Sequence, residues 1–224
     1  MRTKIMYVVF MLVFITSAGI AQNSKTSLAI LGGVNFQNFT GKDFNGNSLD
    51  NDLILGFHAG INAQIPIAPE FYFQPGLLFS TKGSENTEAG ITSTYNLSYV
   101  EVPLNLVYKG ALGSGFIMVG LGPYVAYGIT GKSTHEGPGS IEVKRDVKFQ
   151  NDVELDDSFT NTYIKPLDIG GNIFAGYEMA SGIFIQLNSH LGLVKINPDD
   201  KRLPDGETSI NNIGFGLSLG YRFL

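Results

Sequence analysis

The most regular feature of the chain is a period-two alternation of apolar and polar residues. It recurs in segments of about ten residues that are separated by polar or Gly-rich stretches. Between positions 53 and 65, for example, Leu55, Phe57 and Ile61 alternate with His58 and Asn62. Successive side chains of a β-strand point to opposite faces of the sheet. Each segment therefore predicts a strand that has one apolar face and one polar face.

The alternation predicts an all-β chain of eight antiparallel strands. We place them at 27–36, 53–65, 71–82, 97–109, 115–128, 163–178, 183–193 and 210–223. The first and fifth segments are apolar or Gly on both faces, so the sequence leaves their orientation open. We expect the first and last strands to pair, because a closed barrel leaves no edge with unpaired backbone groups.

The connections between the predicted strands alternate in length. The long ones are 37–52, 83–96, 128–162 and 194–209, and the short ones are 66–70, 110–114 and 179–182. Outer-membrane barrels combine long extracellular loops with short periplasmic turns. The lengths thus favour an eight-stranded up-and-down transmembrane β-barrel with both termini in the periplasm. In 128–162, alternating apolar and charged residues predict that the fifth and sixth strands continue outward as a hairpin. Its Lys144-Arg145 pair should then be open to protease.

The character of the two faces separates a membrane barrel from a soluble, exported ligand-binding barrel, which is the alternative fold. The polar faces are mostly Gly, Asn, Gln and Ser, which suit a narrow interior. The apolar faces carry no Lys, Arg, Asp or Glu. A charge that faces lipid would cost about 2–4 kcal/mol at mid-depth. We therefore predict that the apolar faces contact lipid in a bacterial outer membrane.

The first 21 residues have the pattern of a cleavable signal peptide. Arg2 and Lys4 precede an uncharged apolar run at 5–15, and small residues lead up to Ala21. The run is shorter than the roughly 20 residues of a transmembrane helix. We predict a signal peptide at 1–21 and one barrel domain at 22–224.

Composition excludes several classes of function. The chain has no Cys, which rules out disulfides, thiol catalysis and Cys-ligated zinc. Its formal net charge of −5 argues against nucleic acid as a partner. The acidic run from Asp152 to Asp157 lacks the spacing of a calcium loop, and the sequence leaves Ca²⁺ binding there open. We predict no cofactor and no metal site.

Several motifs spread over the chain resemble the PorT-like outer-membrane β-barrel family. They are the segments 56–60 (GFHAG), 73–83 (FQPGLLFSTKG), 99–104 (YVEVPL), 122–124 (GPY), 176–178 (GYE) and 219–223 (LGYRF). The resemblance implies a barrel in outer-membrane lipid, with envelope or secretion-system proteins as candidate partners. The last strand carries in-phase aromatics ending at Phe223, as a signal for the barrel assembly machinery does, although Leu224 follows it.

The histidines give little indication of an enzyme. His135 falls in a long loop, and His58 and His190 fall on polar faces. Ser189 adjoins His190 in the chain, so the two side chains point to opposite faces. A barrel-embedded enzyme, such as one that modifies lipid A, would need a His and a Ser that converge at one depth on one face. We predict no catalytic residue and no enzymatic activity.

Six charged residues fall on the polar, inward faces of the predicted strands. They are Lys82, Glu101, Lys109, Asp168, Glu178 and Arg222. Buried charges persist when they are paired, so we expect one or two structural networks that include the inward amides Asn62, Gln74, Asn105, Asn172 and Gln186. The alternative is that the charges near the rims reach water. We expect Glu101, near mid-height, to be paired, so that Glu101→Ala strands a partner charge.

Side chains just fill the interior of an eight-stranded barrel. The lumen should therefore be closed to solutes. The sequence predicts a structural, adhesive or envelope and secretion accessory role that acts through the long extracellular loops.

Overall fold

The computed structural model describes residues 25–139, 141–203 and 206–223. The predicted signal peptide at 1–21 lies outside them. The strands of this part are β1 (Ser27–Lys42), β2 (Ile54–Ala68), β3 (Phe71–Glu88), β4 (Ile91–Leu112), β5 (Gly115–Gly137), β6 (Ile141–Phe149), β7 (Asp152–Val153), β8 (Thr162–Ile164), β9 (Leu167–Glu178), β10 (Ile183–Gly192), β11 (Asp199–Asp200) and β12 (Ser209–Phe223). Across the described residues no helix is long and apolar enough to cross a bilayer.

Eight of these strands close into an antiparallel barrel. Their order is β4-β3-β2-β1-β12-β10-β9-β5, and β5 pairs again with β4. The first and last strands pair over fifteen positions, from Leu28 opposite Phe223 to Lys42 opposite Ser209. The predicted number of barrel strands, eight, and the closure of the barrel through the first and last strands are thereby confirmed.

Burial in this barrel is the inverse of burial in a soluble protein. Leu55 and Leu219 point outward and are 68% and 62% exposed, whereas Gln64 and Ser218 point inward and are 1% and 0% exposed. The sequence left the orientation of the first and fifth strands open. In the structure β1 turns Asn35 inward and β5 turns Tyr124 inward, so these polar side chains also face the interior. Such an arrangement is stable only where lipid surrounds the apolar faces.

The segment 83–96 is not the loop that the sequence predicts. Strands β3 and β4 pair without a break up to Glu88 opposite Ile91, and only two residues connect them. Ala89 and Gly90 have φ angles of 50° and 79°, as a two-residue hairpin turn requires. The segment is rich in Ser, Thr and Asn, which suggested a loop, but its Thr and Tyr residues also favour strands.

The predicted hairpin in 128–162 also differs from the observed one. β5 does continue outward to Gly137, but it pairs there with β6 and not with the sixth barrel strand. The predicted strand 163–178 is split, because β8 pairs with β6 in parallel while the barrel strand β9 begins only at Leu167. Pro166 lies in the gap, and proline cannot donate a backbone hydrogen bond to a ladder. The outer parts of β3, β4, β5 and β6 (83–88, 91–98, 129–137 and 141–149) form one four-stranded extension, the projecting sheet.

Apolar side chains fill both ends of the barrel interior. The cluster at the long-loop end consists of Phe39, Leu97, Tyr99, Tyr124, Ala126, Val147, Ile164 and Ile196. The cluster at the short-turn end consists of Ala29, Leu31, Val107, Met118, Phe174 and Phe184. Most of the buried polar side chains lie between and beside these two clusters.

Candidate functional site

The barrel interior contains two groups of charged side chains. The first, the upper charge cluster, lies toward the long-loop end and consists of Lys82, Glu101 and Asp168. The Lys82 Nζ lies 2.8 Å from Glu101 Oε2 and 2.9 Å from Asp168 Oδ2. The side chains of Lys82 and Asp168 are fully buried. One cation thus serves two carboxylates, which leaves the cluster with one formal negative charge.

Neutral donors and an aromatic ring complete the upper charge cluster. Tyr124 Oη donates to Asp168 Oδ1 over 3.1 Å, and Asn212 Nδ2 donates to Asp168 Oδ2 over 2.9 Å. The ammonium of Lys82 lies 4.3 Å from the centre of the Tyr124 ring. These contacts offset part of the cost of taking three charges out of water, since a buried carboxylate requires donors for its remaining lone pairs.

The second group, the lower charge cluster, lies toward the short turns and has the opposite balance. The Lys109 Nζ lies 2.6 Å from Glu178 Oε1, and the Arg222 Nε lies 2.9 Å from Glu178 Oε2. Arg222 also donates to Asn62 Oδ1 and Gln74 Oε1, at 3.3 and 3.5 Å. Two cations share one carboxylate here. The surplus positive charge of this cluster therefore matches the surplus negative charge of the upper one.

A small chamber lies next to the upper charge cluster, and Glu101 lines it. It is a cavity of about 80 Å³ whose wall also contains apolar side chains, amides, hydroxyls and two imidazoles, among them Asn35, His58, Asn188, His190 and Ser218. His58 lies at its wall and joins two strands that are not neighbours of each other in the chain. Its Nδ1 lies 2.6 Å from Asn35 Oδ1, and its Nε2 lies 2.6 Å from Ser218 Oγ.

The contacts of the neighbouring amides indicate the direction of this chain of hydrogen bonds. Asn35 Nδ2 donates to Ser80 Oγ, so Asn35 Oδ1 is the acceptor that faces His58 Nδ1, which carries a proton. When His58 is neutral, its Nε2 is then the acceptor for the Ser218 hydroxyl. Ser218 Oγ also accepts from Asn188 Nδ2, over 2.7 Å.

The six charged residues singled out from the sequence all lie in the interior, and each contacts at least one of the others. Of the predicted amides, Asn62 and Gln74 join the lower charge cluster, whereas Asn172 donates to the Gly122 carbonyl. Gln186 donates to Asn188, and Asn105 lines the chamber.

The pair of His58 and Ser218 is not among the contacts predicted from the sequence. Ser189 is the serine next to a histidine in the chain, but it donates to the Gly214 carbonyl. The inward phase of both β2 and β12 was readable from the alternation, and it would have placed His58 and Ser218 on one face. Asn35 could not be assigned, because the orientation of β1 was open.

A family model described as "Outer membrane protein beta-barrel domain" matches residues 20–197, which is well over half of the chain. The chain belongs to this family. It is an outer-membrane β-barrel protein of a bacterium. No curated protein sequence matches it significantly.

Two solved structures resemble this outer-membrane barrel at low sequence identity. Neisserial surface protein A is 9% identical, with a TM-score of 0.45. Ail, the attachment invasion locus protein of Yersinia pestis, is 13% identical, with a TM-score of 0.41. Each comparison covers 89% of this chain and 100% of the other.

At the long-loop end of this outer-membrane barrel, Arg202 holds two loops together. Its guanidinium donates to both carboxylate oxygens of Asp200 and to the carbonyls of Asp157 and Ser158. The ring of Phe159 packs on it, with 4.4 Å between the ring centre and Cζ. The hydrogen bond from Arg202 lowers the pKa of the Asp200 carboxyl below its ordinary value. We call this arrangement the arginine clasp.

The acidic residues of these loops are largely engaged by neighbouring donors. Asp157 accepts from Gln150 and from the backbone of Glu154, and Asp199 accepts from Lys165 and Lys195. Within the described part of the chain, no group of three or more His, Asp or Glu side chains is placed to hold a metal ion.

Proposed function

We propose that the protein is a surface-exposed barrel that binds a partner protein through the free edge of its projecting sheet, in an adhesive or envelope-accessory role. In this orientation the projecting sheet is extracellular and both termini are periplasmic. The observation that carries the proposal is the incomplete pairing of β6. Within the described residues, 141–146 pair only with β5, and β8 joins β6 only from Val147 onward.

An unpaired strand edge presents a row of free N–H and C=O groups that an extended segment of another chain can pair with. The side chains along this edge are suited to such contact, because Ile141 and Val143 are 68% and 46% exposed. Exposed edge strands in natural proteins are often protected from pairing by charged side chains, and β6 does carry Lys144 and Arg145 between its apolar residues. The charges of 141–146 balance, because Glu142 and Asp146 accompany Lys144 and Arg145, and the Lys144 Nζ lies 2.9 Å from Glu142 Oε1. An extended partner segment in which apolar and polar residues alternate would match this edge.

The interior supports a role at the surface and not in transport. The charge clusters contain six paired side chains inside the lumen, and apolar clusters pack beside them toward both ends of the barrel. An ion would have to break buried pairs to pass, which costs several kcal/mol per charge. We propose that the lumen is closed to solutes and that the six charges serve to hold the barrel together.

The partners that we propose follow from location. Lipid surrounds the apolar faces, and the aromatic C-terminal strand β12 would be recognised by the barrel assembly machinery. The resemblance to PorT-like barrels makes a secretion-system or envelope protein the natural occupant of the β6 edge, with adhesion to another cell as the second possibility.

The first test concerns orientation. Trypsin added to intact cells should cut near Lys144-Arg145, because these side chains are exposed and β6 is held on one side only. Cleavage there in opened cells but not in intact cells would place the projecting sheet in the periplasm and reverse the proposed topology.

The second test concerns the edge itself. Val143→Lys places a charge on the β6 edge and should lower cell attachment and recovery of cross-linked envelope partners. Ile91→Lys is the matched control, because Ile91 is exposed to a similar extent but lies at the start of β4, away from that edge. Equal attachment and equal partner recovery in both variants and in a strain without the protein would refute the proposal.

A further inference from the structure

We propose that a cavity at the long-loop mouth of the barrel binds a small organic cation, a primary ammonium attached to an apolar body such as one aromatic ring. This inference is independent of the β6 edge. The cavity, which we call the mouth cavity, has a volume of about 360 Å³. Small-molecule sites typically measure roughly 300–1,000 Å³, and the mouth of a β-barrel is a common place for them.

The floor of the mouth cavity is apolar and belongs to the cluster that fills the long-loop end of the barrel. The apolar side chains that line it are Phe39, Leu49, Tyr95, Ile164, Ile196 and Ile210. The ring centres of Phe39 and Tyr95 lie 5.8 Å apart, and the two rings are tilted by 50° to each other. A ligand with an aromatic ring can pack against such surfaces and removes apolar area from water when it does so.

A ligand can reach the mouth cavity from solvent without crossing the lumen. The walls come from the first long loop, from the projecting sheet and from β8, which all lie at the long-loop end. Glu88, which lines the cavity, is exposed, and Leu49, Tyr95 and Ile210 are only half-buried although they pack against the apolar cluster. The space that these side chains face is therefore open on the loop side.

Hydrogen bonds between the loops hold the walls of the mouth cavity in place. On one side, the backbone groups of Asp52 and Glu85 exchange two hydrogen bonds, of 2.7 and 3.2 Å. On the other side, Asn197 Nδ2 donates to the Thr208 carbonyl over 3.1 Å, and Asn197 Oδ1 accepts from the Ile210 backbone over 2.9 Å. The walls are thus ordered before a ligand arrives, and this lowers the cost of binding.

Two amides and one carboxylate that line the mouth cavity offer hydrogen-bond acceptors. Asn86 Nδ2 donates to the Asp50 carbonyl over 2.9 Å, and Asn51 Nδ2 donates to the Phe39 carbonyl over 3.2 Å. The side-chain oxygens of these two amides are therefore the atoms that remain for a ligand. Glu88 adds its carboxylate. A primary ammonium has three donors and no acceptor, so it matches this set.

The charge around the mouth cavity is negative. Among the described residues that line it, Glu88 is the only charged one. Asp50, Asp52 and Glu85 are next to lining residues in the chain. None of these four carboxylates forms a salt bridge with another described residue. A cleft with carboxylates at its rim attracts a cation and repels an anion.

The first experiment compares three probes of similar shape and different charge, which are phenethylamine, phenethyl alcohol and phenylpropionate. The full barrel is folded into nanodiscs of zwitterionic lipid, with methyl-labelled Ile and Leu, and each probe is titrated by NMR. Phenethylamine should cause saturable shifts of the Ile164 and Ile196 methyl signals. It should bind more tightly than the alcohol, and the alcohol more tightly than phenylpropionate. These differences should shrink in high salt, which screens exposed charges.

The variants separate binding in the mouth cavity from binding elsewhere. Leu49→Trp should fill the cavity and abolish the shifts, whereas Leu53→Trp should not, because Leu53 is 51% exposed and does not line the cavity. Glu88→Gln should weaken binding of the amine by about two- to fivefold, the range of an exposed ion pair, and leave the alcohol unaffected. Glu142→Gln is the matched control, because Glu142 lies three strands away in the projecting sheet. Each variant is first checked for folding by its heat-dependent migration on a gel.

Two kinds of result would overturn the proposal. Shifts that do not saturate, or that persist unchanged in Leu49→Trp, would indicate partitioning into lipid and not binding in the mouth cavity. Alcohol or carboxylate binding as tight as that of the amine, or an equal loss in Glu88→Gln and Glu142→Gln, would overturn the assignment to a cation. The probe series and Glu88→Gln leave the apolar wall intact, so they decide the proposal even if Leu49→Trp does not fold.

Discussion

Removing the cation of the upper charge cluster should destabilise the barrel more than removing either carboxylate. The Lys82 side chain is fully buried and contacts both Glu101 and Asp168 within 3 Å. Lys82→Met keeps much of the volume but leaves two buried carboxylates without a cation. Breaking a buried pair by removing one partner costs about 3–5 kcal/mol, which is a large share of a typical stability of about 5–15 kcal/mol.

Glu101→Gln should have a smaller effect, because it leaves Lys82 paired one-to-one with Asp168. The free energy of unfolding should fall by about 1–2 kcal/mol, because one charged hydrogen bond is replaced by a weaker one from the amide. The expectation from the sequence that Glu101→Ala strands its partner charge is therefore too strong. Its partner, Lys82, also contacts a second carboxylate, that of Asp168.

The assay is urea unfolding of barrels folded into lipid vesicles, followed by circular dichroism and by heat-dependent migration. A triple variant with Lys82→Met, Glu101→Gln and Asp168→Asn is the control, because it removes all three charges and should recover part of the loss. If the free energy of unfolding of Lys82→Met lies within about 0.5 kcal/mol of that of the unaltered barrel, which is the range usual for surface substitutions, the reasoning is refuted. A larger loss in Glu101→Gln than in Lys82→Met would refute it as well.

Two further predictions concern the backbone and the arginine clasp. Gly83→Ala should reduce the yield of folded barrel on heat-shift gels. Gly83 has a φ of 152°, and a Cβ there would lie 1.8 Å from the Tyr95 carbonyl oxygen. Gly171→Ala is the control and should fold normally, because no neighbouring atom would lie within 4 Å of its Cβ. Since the folded pKa of Asp200 is lowered, the stability it contributes is present above its ordinary value of 3.8 and is lost as pH falls through the lowered value. Amide protection factors in 154–161, which correct for the intrinsic exchange rate at each pH, should therefore fall as the pH is lowered through this range, and in Arg202→Gln they should be low already at neutral pH.

The membrane barrel could be predicted from local features of the amino-acid sequence. Period-two alternation fixes which residues share a face, and the absence of charge from the apolar faces fixes which face meets lipid. These are local properties of a strand, so the eight strands and the closure of the barrel could be predicted from the sequence without knowledge of any tertiary contact. The inward placement of Lys82 and Arg222 followed from the same phase.

Strand orientation, the projecting sheet and contacts between distant residues do not follow from the alternation, because they depend on how the strands pair. The predicted first and fifth strands, 27–36 and 115–128, are mostly apolar or Gly on both faces, so their orientation depends on the register with their neighbours. The projecting sheet forms because β6 pairs with the outer part of β5. Polar strands of this kind have the composition of loops, so the sequence does not identify them. The meeting of His58 with Ser218 depends on closure, because two residues 160 positions apart face each other only when the first and last strands join.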